Sequence, residues 1–211
     1  MTVSDDAIPA LAVQGDLFDA VESAVDEGFT TAERIELDGT SWIEHVHGWL
    51  SGSQQVFDDV LAAAGWEHRS RWMYSQKVIE PRLTAEYPDV DDAPLPMLRT
   101  VAATLGSHYG ASYRSLWINL YRTHRDSTSW HGDTVGKTQE TSIVPVLSLG
   151  ATRRFLIKPA EGGRSTSLTV VSGDLVVMGG RAQRDWRHSV PKQSTPAGPR
   201  ISVNFAPEPT P

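Results

Sequence analysis

Ser115-Leu116-Trp117-Ile118-Asn119-Leu120-Tyr121-Arg122 changes the rhythm of the chain. Before it, apolar residues recur at helical intervals in three places. From it onward they come in short β-branched and aromatic runs separated by turn residues. The runs are TSIVPVLSL (141–149), RRFLIKP (153–159), STSLTVV (165–171), DLVVMGG (174–180), WRHSVP (186–191) and RISVNF (200–205). Glu161-Gly162-Gly163, Ser172-Gly173 and Ala197-Gly198-Pro199 supply turns. Seven or eight short strands at this spacing predict an antiparallel sandwich or jelly roll. With helices confined to the N-terminal half, the fold class is α+β.

Upstream, Ser53–Ala64 reads as a helix with Val56, Val60, Leu61 and Ala64 on one stripe and Gly65 as its stop. Pro94–His108 reads as a second, with Leu95, Leu98, Val101, Ala102 and Leu105 inward and Gly106 and Gly110 ending it. In Ser41–Leu50, Trp42, Val46 and Trp49 have helical spacing. That spacing separates His45 from His47, which as a strand pair would resemble metal ligands, so a packing role is expected for both. Trp66–Tyr87 interleaves aromatics with Arg69, Arg71, Lys77 and Arg82. Such a stretch is either two half-buried strands or a surface that stacks bases and holds phosphates; Pro81 suggests an edge or a strand end. Residues 1–40 are an acidic arm with Leu17, Phe18 and Phe29 as candidate anchors.

The chain has 211 residues, enough for one domain with an extension. Cysteine is absent, which excludes disulfides, thiolate nucleophiles and zinc–thiolate sites. No apolar run reaches the ~20 residues of a membrane span, and the N-terminus lacks the regions of a signal peptide. A soluble cytoplasmic protein is expected. The net charge of −7 hides an asymmetry. Residues 1–60 hold 13 acids and one base, Arg34, whereas residues 114–200 hold 13 bases and 6 acids. The C-terminal half thus suits a phosphate-backbone partner.

That half also carries Trp130-His131-Gly132-Asp133. Positions i and i+2 of a strand point to one side, so His131 and Asp133 can hold one ion from adjacent corners. His188 is the candidate third ligand. Two His and one carboxylate form the facial triad of non-haem Fe(II) oxygenases, which leaves the opposite face open. Asn119 and Tyr121 share one face of their strand. Arg200, at the start of the last strand, is placed to fork onto a dicarboxylate cosubstrate.

In these stretches the chain resembles the AlkB family of Fe(II)- and 2-oxoglutarate-dependent nucleic-acid dealkylases. The resemblance rests on Glu80–Ala85, Asn119–Arg122, Trp130–Asp133, Ser148–Phe155, Gly173–Gly180, Gln183–Lys192 and Pro199–Phe205 in this order. It implies a double-stranded β-helix (jelly roll) core at 113–206, with N-terminal helices and a nucleotide-recognition lid at 41–112 and a tail at 207–211. It implies His131, Asp133 and His188 as the catalytic iron ligands. It assigns 2-oxoglutarate to Asn119, Tyr121, Arg200 and the Ser202 position. Trp72, Tyr74 and Arg82 would contact the substrate in the lid, and Arg153 and Arg154 would contact phosphate.

The implied reaction is oxidative demethylation of 1-methyladenine- or 3-methylcytosine-type bases in DNA or RNA. The implied partner is a single-stranded or flipped-out alkylated strand, met by a monomer away from any membrane. Four positions depart from the family. Its last strand has Arg, Asn and Arg where this chain has Arg200, Ser202 and Ala206. Val135 replaces an acidic residue that touches the base in some members, and Glu86 stands where relatives often place Trp. Two alternatives share the scaffold: an oxygenase of a small molecule or protein, and a non-catalytic module binding damaged nucleic acid.

Overall fold

The computed structural model describes residues 22–73 and 76–209, with the side chains of 71–77 outside that description. Twelve antiparallel strands form two sheets among these residues. The large sheet runs, edge to edge, β1 (Ala32–Glu36), β2 (Ser41–Val46), β10 (Leu175–Gly180), β7 (Val144–Gly150), β12 (Arg200–Ala206), β5 (Ser115–Tyr121), β4 (Gln76–Tyr87) and β3 (Glu67–Met73). The small sheet is β6 (Thr128–His131), β11 (Trp186–Val190), β8 (Arg153–Pro159) and β9 (Thr166–Val170). The sequence-based jelly-roll expectation matches this arrangement.

The large sheet is covered on both faces, so its central strands are buried almost end to end. On β12 the alternation of side chains sorts them. Ile201, Val203 and Phe205 join a core shared with helices α1 (Ser53–Ala63) and α2 (Pro96–Tyr109). Arg200, Ser202 and Asn204 take the opposite parity, the side that faces the small sheet. A second apolar core lies there, with Val146, Val176, Phe155, Ile157 and Val190. Three polar residues buried in succession on one face need partners, and they mark where the sandwich opens into a site.

The two helices pack on the outer face of the large sheet. α2 buries Leu98, Val101, Ala102 and Leu105 and stops at Gly110, whose φ of 65° is left-handed. α1 buries Val56, Phe57 and Val60. Residues 41–50 are not helical. Ser41, Ile43 and His45 are buried on one side of β2, which pairs with β1 and β10. The alternation of that strand, with partners on both edges, outweighs the spacing of Trp42, Val46 and Trp49. Phe29 is buried and stacks on His108 at 3.6 Å, so it anchors the segment before β1. Leu17 and Phe18 lie outside the described residues. Pro81 sits within β4 where the register shifts between His68 and Ser70 of β3, a place that needs no N–H from it. No helix among the described residues is long and apolar enough to cross a membrane.

Candidate active site

β6 and β11 pair so that His131 and His188 lie directly opposite each other. Asp133 follows two residues after His131. Its Oδ1 is 3.5 Å from His131 Nε2 and 3.7 Å from His188 Nε2. All three donor atoms fall within 4.8 Å of one another. Ligands on adjacent corners of an octahedron with ~2.1 Å bonds lie roughly 3 Å apart, so the set needs little contraction to hold one ion.

The groups behind the three ligands fix their orientation. His131 Nδ1 lies 2.9 Å from the Ser129 carbonyl. A donating Nδ1–H leaves Nε2 as the free lone pair. Gln183 Oε1 accepts the Asp133 N–H at 2.8 Å. The ring of Phe155 stacks on His188 with centroids 5.4 Å apart. Burial pushes His188 down to about 3, only partly opposed by Asp133, so the imidazole is neutral and ready to ligate. Burial works to raise Asp133, yet His188 and His131 hold it below the usual carboxylate range and therefore charged. Gly132 lets this turn form. A Cβ there would collide with the Gln183 carbonyl oxygen and press on Arg187.

Beside the triad, β4, β5, β12 and β7 lay their polar residues in register. Thr84, Asn119, Ser202 and Ser148 form one row, and Tyr121 and Arg200 pair in the next. Asn119 Oδ1 accepts from Arg82 Nε at 3.0 Å and from Thr84 at 3.1 Å. Tyr121 shares a 2.7 Å hydrogen bond with Thr128. Arg200 is 2% exposed and donates from Nη2 to Ser148 Oγ at 2.7 Å. Its Nε and Nη1 are buried with no partner. Burial depresses its pKa, with Tyr121 opposing. Two orphaned guanidinium N–H groups on the wall of a cavity fit a carboxylate that forks onto them.

Two cavities meet at the triad. One, of about 40 Å³, holds Arg200, Tyr121, Ser202 and Asn204. The other, of about 350 Å³, is bounded by Arg69, Glu86, Val135 and Ala206. Both share Arg82, Trp117, Asn119, His131 and Asp133. The second volume falls within the ~300–1,000 Å³ of small-molecule sites. An ion on the triad would thus face a small polar chamber on one side and a larger, more open one on the other.

Four expectations change or stay open at this level. Arg153 is buried at 1% exposure and donates to the carbonyls of Thr123, Asp126 and Pro191. A guanidinium committed in this way braces two loops and does not reach a phosphate. Arg154 is exposed, on the opposite side of β8, and borders neither cavity. The Trp72 side chain and Tyr74 fall outside the described residues. The sequence reading missed Gln183, Thr128, Ser148 and Phe155. Their roles depend on cross-strand register and carry no spacing signal.

A half-buried facial triad beside an orphaned arginine, in a jelly roll, defines a mononuclear non-haem Fe(II) oxygenase architecture. The sequence profile of the 2OG-Fe(II) oxygenase superfamily matches residues 44–205. The chain is 32% identical over 170 residues to human "Alpha-ketoglutarate-dependent dioxygenase alkB homolog 3", covering 71% of this chain and 59% of that protein. It is 30% identical to Arabidopsis thaliana "DNA oxidative demethylase ALKBH2", covering 88% of this chain and 72% of that protein. The solved structure of OsALKBH1 shares the fold, with a TM-score of 0.56 at 14% identity over 82% of this chain and 99% of that one. The chain therefore belongs to the AlkB family of the 2OG-Fe(II) oxygenases. It spans about three fifths of the alkB homolog 3 relatives.

Proposed function

We propose that this protein is an Fe(II)/2-oxoglutarate-dependent dioxygenase that demethylates N-alkylated bases of the 1-methyladenine and 3-methylcytosine type in DNA or RNA. The observation that carries the reading is the pairing of the triad with the two unpartnered N–H groups of Arg200. His131 Nε2, Asp133 Oδ1 and His188 Nε2 would hold the iron. Arg200 would take the far carboxylate of 2-oxoglutarate, with Tyr121, Asn119 and Ser202 lining its chamber. With iron and 2-oxoglutarate bound, the site would use O2, one oxygen atom going to succinate as 2-oxoglutarate loses CO2 and the other to a methyl carbon on a base nitrogen, which then departs as formaldehyde.

The residues of the chain do the rest. Gln183 and Ser129 keep Asp133 and His131 in place. Arg82, fixed on Asn119 and paired with Glu80, stands where both chambers meet. Ala206 leaves the family's second arginine unfilled, and Arg82 is a cation in the same cavity. The larger chamber receives the base. There Glu86, ion-paired with Arg69, offers a carboxylate while Val135 offers none. A duplex base cannot reach this depth, so the substrate is single-stranded or flipped out.

The test is succinate release. A 3-methylcytosine oligonucleotide should stimulate succinate formation from 2-oxoglutarate well above the unmethylated strand, and His131→Ala should abolish it. Equal succinate with both strands would point to a small-molecule or protein substrate. None with either strand would leave a binding module.

A further inference from the structure

A second group of metal-type donors lies on the other half of the large sheet. β2 is separated from β12 by β10 and β7, or about 14 Å at the usual strand spacing. His45 of β2 stands opposite Glu33 of β1 and Val176 of β10. His47 follows β2 and Asp174 precedes β10, so three adjacent strands bring these groups together. His45 Nε2 is 2.8 Å from Asp174 Oδ2. The rings of His45 and His47 lie 3.9 Å apart, and His47 Nε2 is 3.7 Å from Glu33 Oε2. One donor atom from each of His45, His47 and Asp174 falls within 4.8 Å of the others.

We propose that His45, His47 and Asp174, with Glu33 as fourth donor, form a second and structural site for a divalent ion of the zinc class. Two imidazoles and carboxylates suit a borderline ion of tetrahedral habit. The Asp174 carboxylate is already aimed: Oδ1 accepts the Gly48 N–H at 2.9 Å and Oδ2 the Val171 N–H at 3.0 Å. Ligating carboxylates are held by such outer hydrogen bonds. The His45–Asp174 hydrogen bond accounts for the burial of those two residues. It does not account for His47, a half-exposed imidazole kept against the buried one with a second carboxylate beside it. His47 and Glu33 are the solvent side, through which the ion enters. The ion takes the place of the proton between His45 and Asp174. It ties the edge hairpin β1–β2 to the turn before β10, and it is independent of the oxygenase chemistry.

The test is equilibrium dialysis of metal-stripped, full-length protein against Co(II) and then Zn(II), with metal analysis and the visible Co(II) spectrum. Asp133→Ala disables the cavity triad and should still hold one ion per chain with tetrahedral-type absorption. Adding His47→Ala should weaken that binding by roughly tenfold or more. His47→Gln, closer in volume, gives the same readout if truncation disturbs the strand. An Asp133→Ala protein that binds no Co(II) in excess overturns the proposal. So does one ion per chain whose affinity is unchanged by both His47 substitutions.

Discussion

Arg200→Met separates a cosubstrate-binding arginine from a structural one. Arg200 is buried, donates once to Ser148 and leaves Nε and Nη1 unsatisfied. Each buried donor without a partner costs about 1–3 kcal/mol, and more when charged. Methionine fills a similar volume, removes both and forfeits the Ser148 hydrogen bond, worth about 1.5–3 kcal/mol. The ligand-free protein should therefore be as stable as wild type or more so by a few kcal/mol. Binding behaves oppositely. Two charge-assisted hydrogen bonds to a carboxylate amount to roughly 3–6 kcal/mol. At about 1.4 kcal/mol per decade, 2-oxoglutarate affinity should fall by two to four orders of magnitude. The assay is thermal unfolding with and without 2-oxoglutarate, using Mn(II) to prevent turnover. Ligand at ~100 Kd adds about 2.7 kcal/mol, a rise of roughly 5–10 °C for a domain of this size. Wild type should show that rise and the variant none. A variant that melts far below wild type yet keeps the rise would refute the reasoning.

Other substitutions probe the surroundings. Gly132→Ala drives a methyl into the Gln183 carbonyl and disturbs the Asp133 backbone bond; metal affinity by titration should drop about 10–100-fold. Arg153→Met removes hydrogen bonds to three carbonyls, so denaturant unfolding should show a loss of about 2–4 kcal/mol. Arg154→Ala should leave oligonucleotide affinity and its salt slope unchanged; a flatter slope would return it to the interface. Acidification has a definite sign. Unfolded His188 takes up a proton as the pH falls below about 6.5, whereas the folded imidazole stays neutral down to about 3. Stability is thus complete above that window and lost within it. Metal-free protein should melt lower at pH 5 than at pH 7, with a shallower drop in His188→Ala; a flat profile would contradict this.

Periodicity made the strands from Ser115 onward legible because each is a short apolar run closed by a turn. The inward positions of Leu98, Val101, Ala102 and Leu105 followed from helical spacing alone. Ser41–Val46 misled because Trp42 and Val46, four apart, share a face in a strand as well as in a helix, and its pairing on each side is a circumstance no local pattern reports. In the site, the i, i+2 spacing of His131 and Asp133 named two ligands. The opposition of His131 and His188 came from β6–β11 register, which sequence distance does not encode. The same applies to Arg153. Its side of β8 is set by the inward Phe155 and Ile157, and that parity converts a presumed phosphate contact into an internal brace.

Mass spectrometry of a single-stranded oligonucleotide carrying 1-methyladenine or 3-methylcytosine tests the central claim most directly. The strand is incubated with the protein, Fe(II), 2-oxoglutarate and O2, beside His131→Ala. Loss of the methyl mass in the wild-type sample alone, with one succinate formed per methyl lost, is the expected result. An intact methyl group in the wild-type sample, under conditions where iron and 2-oxoglutarate are bound, would contradict the account.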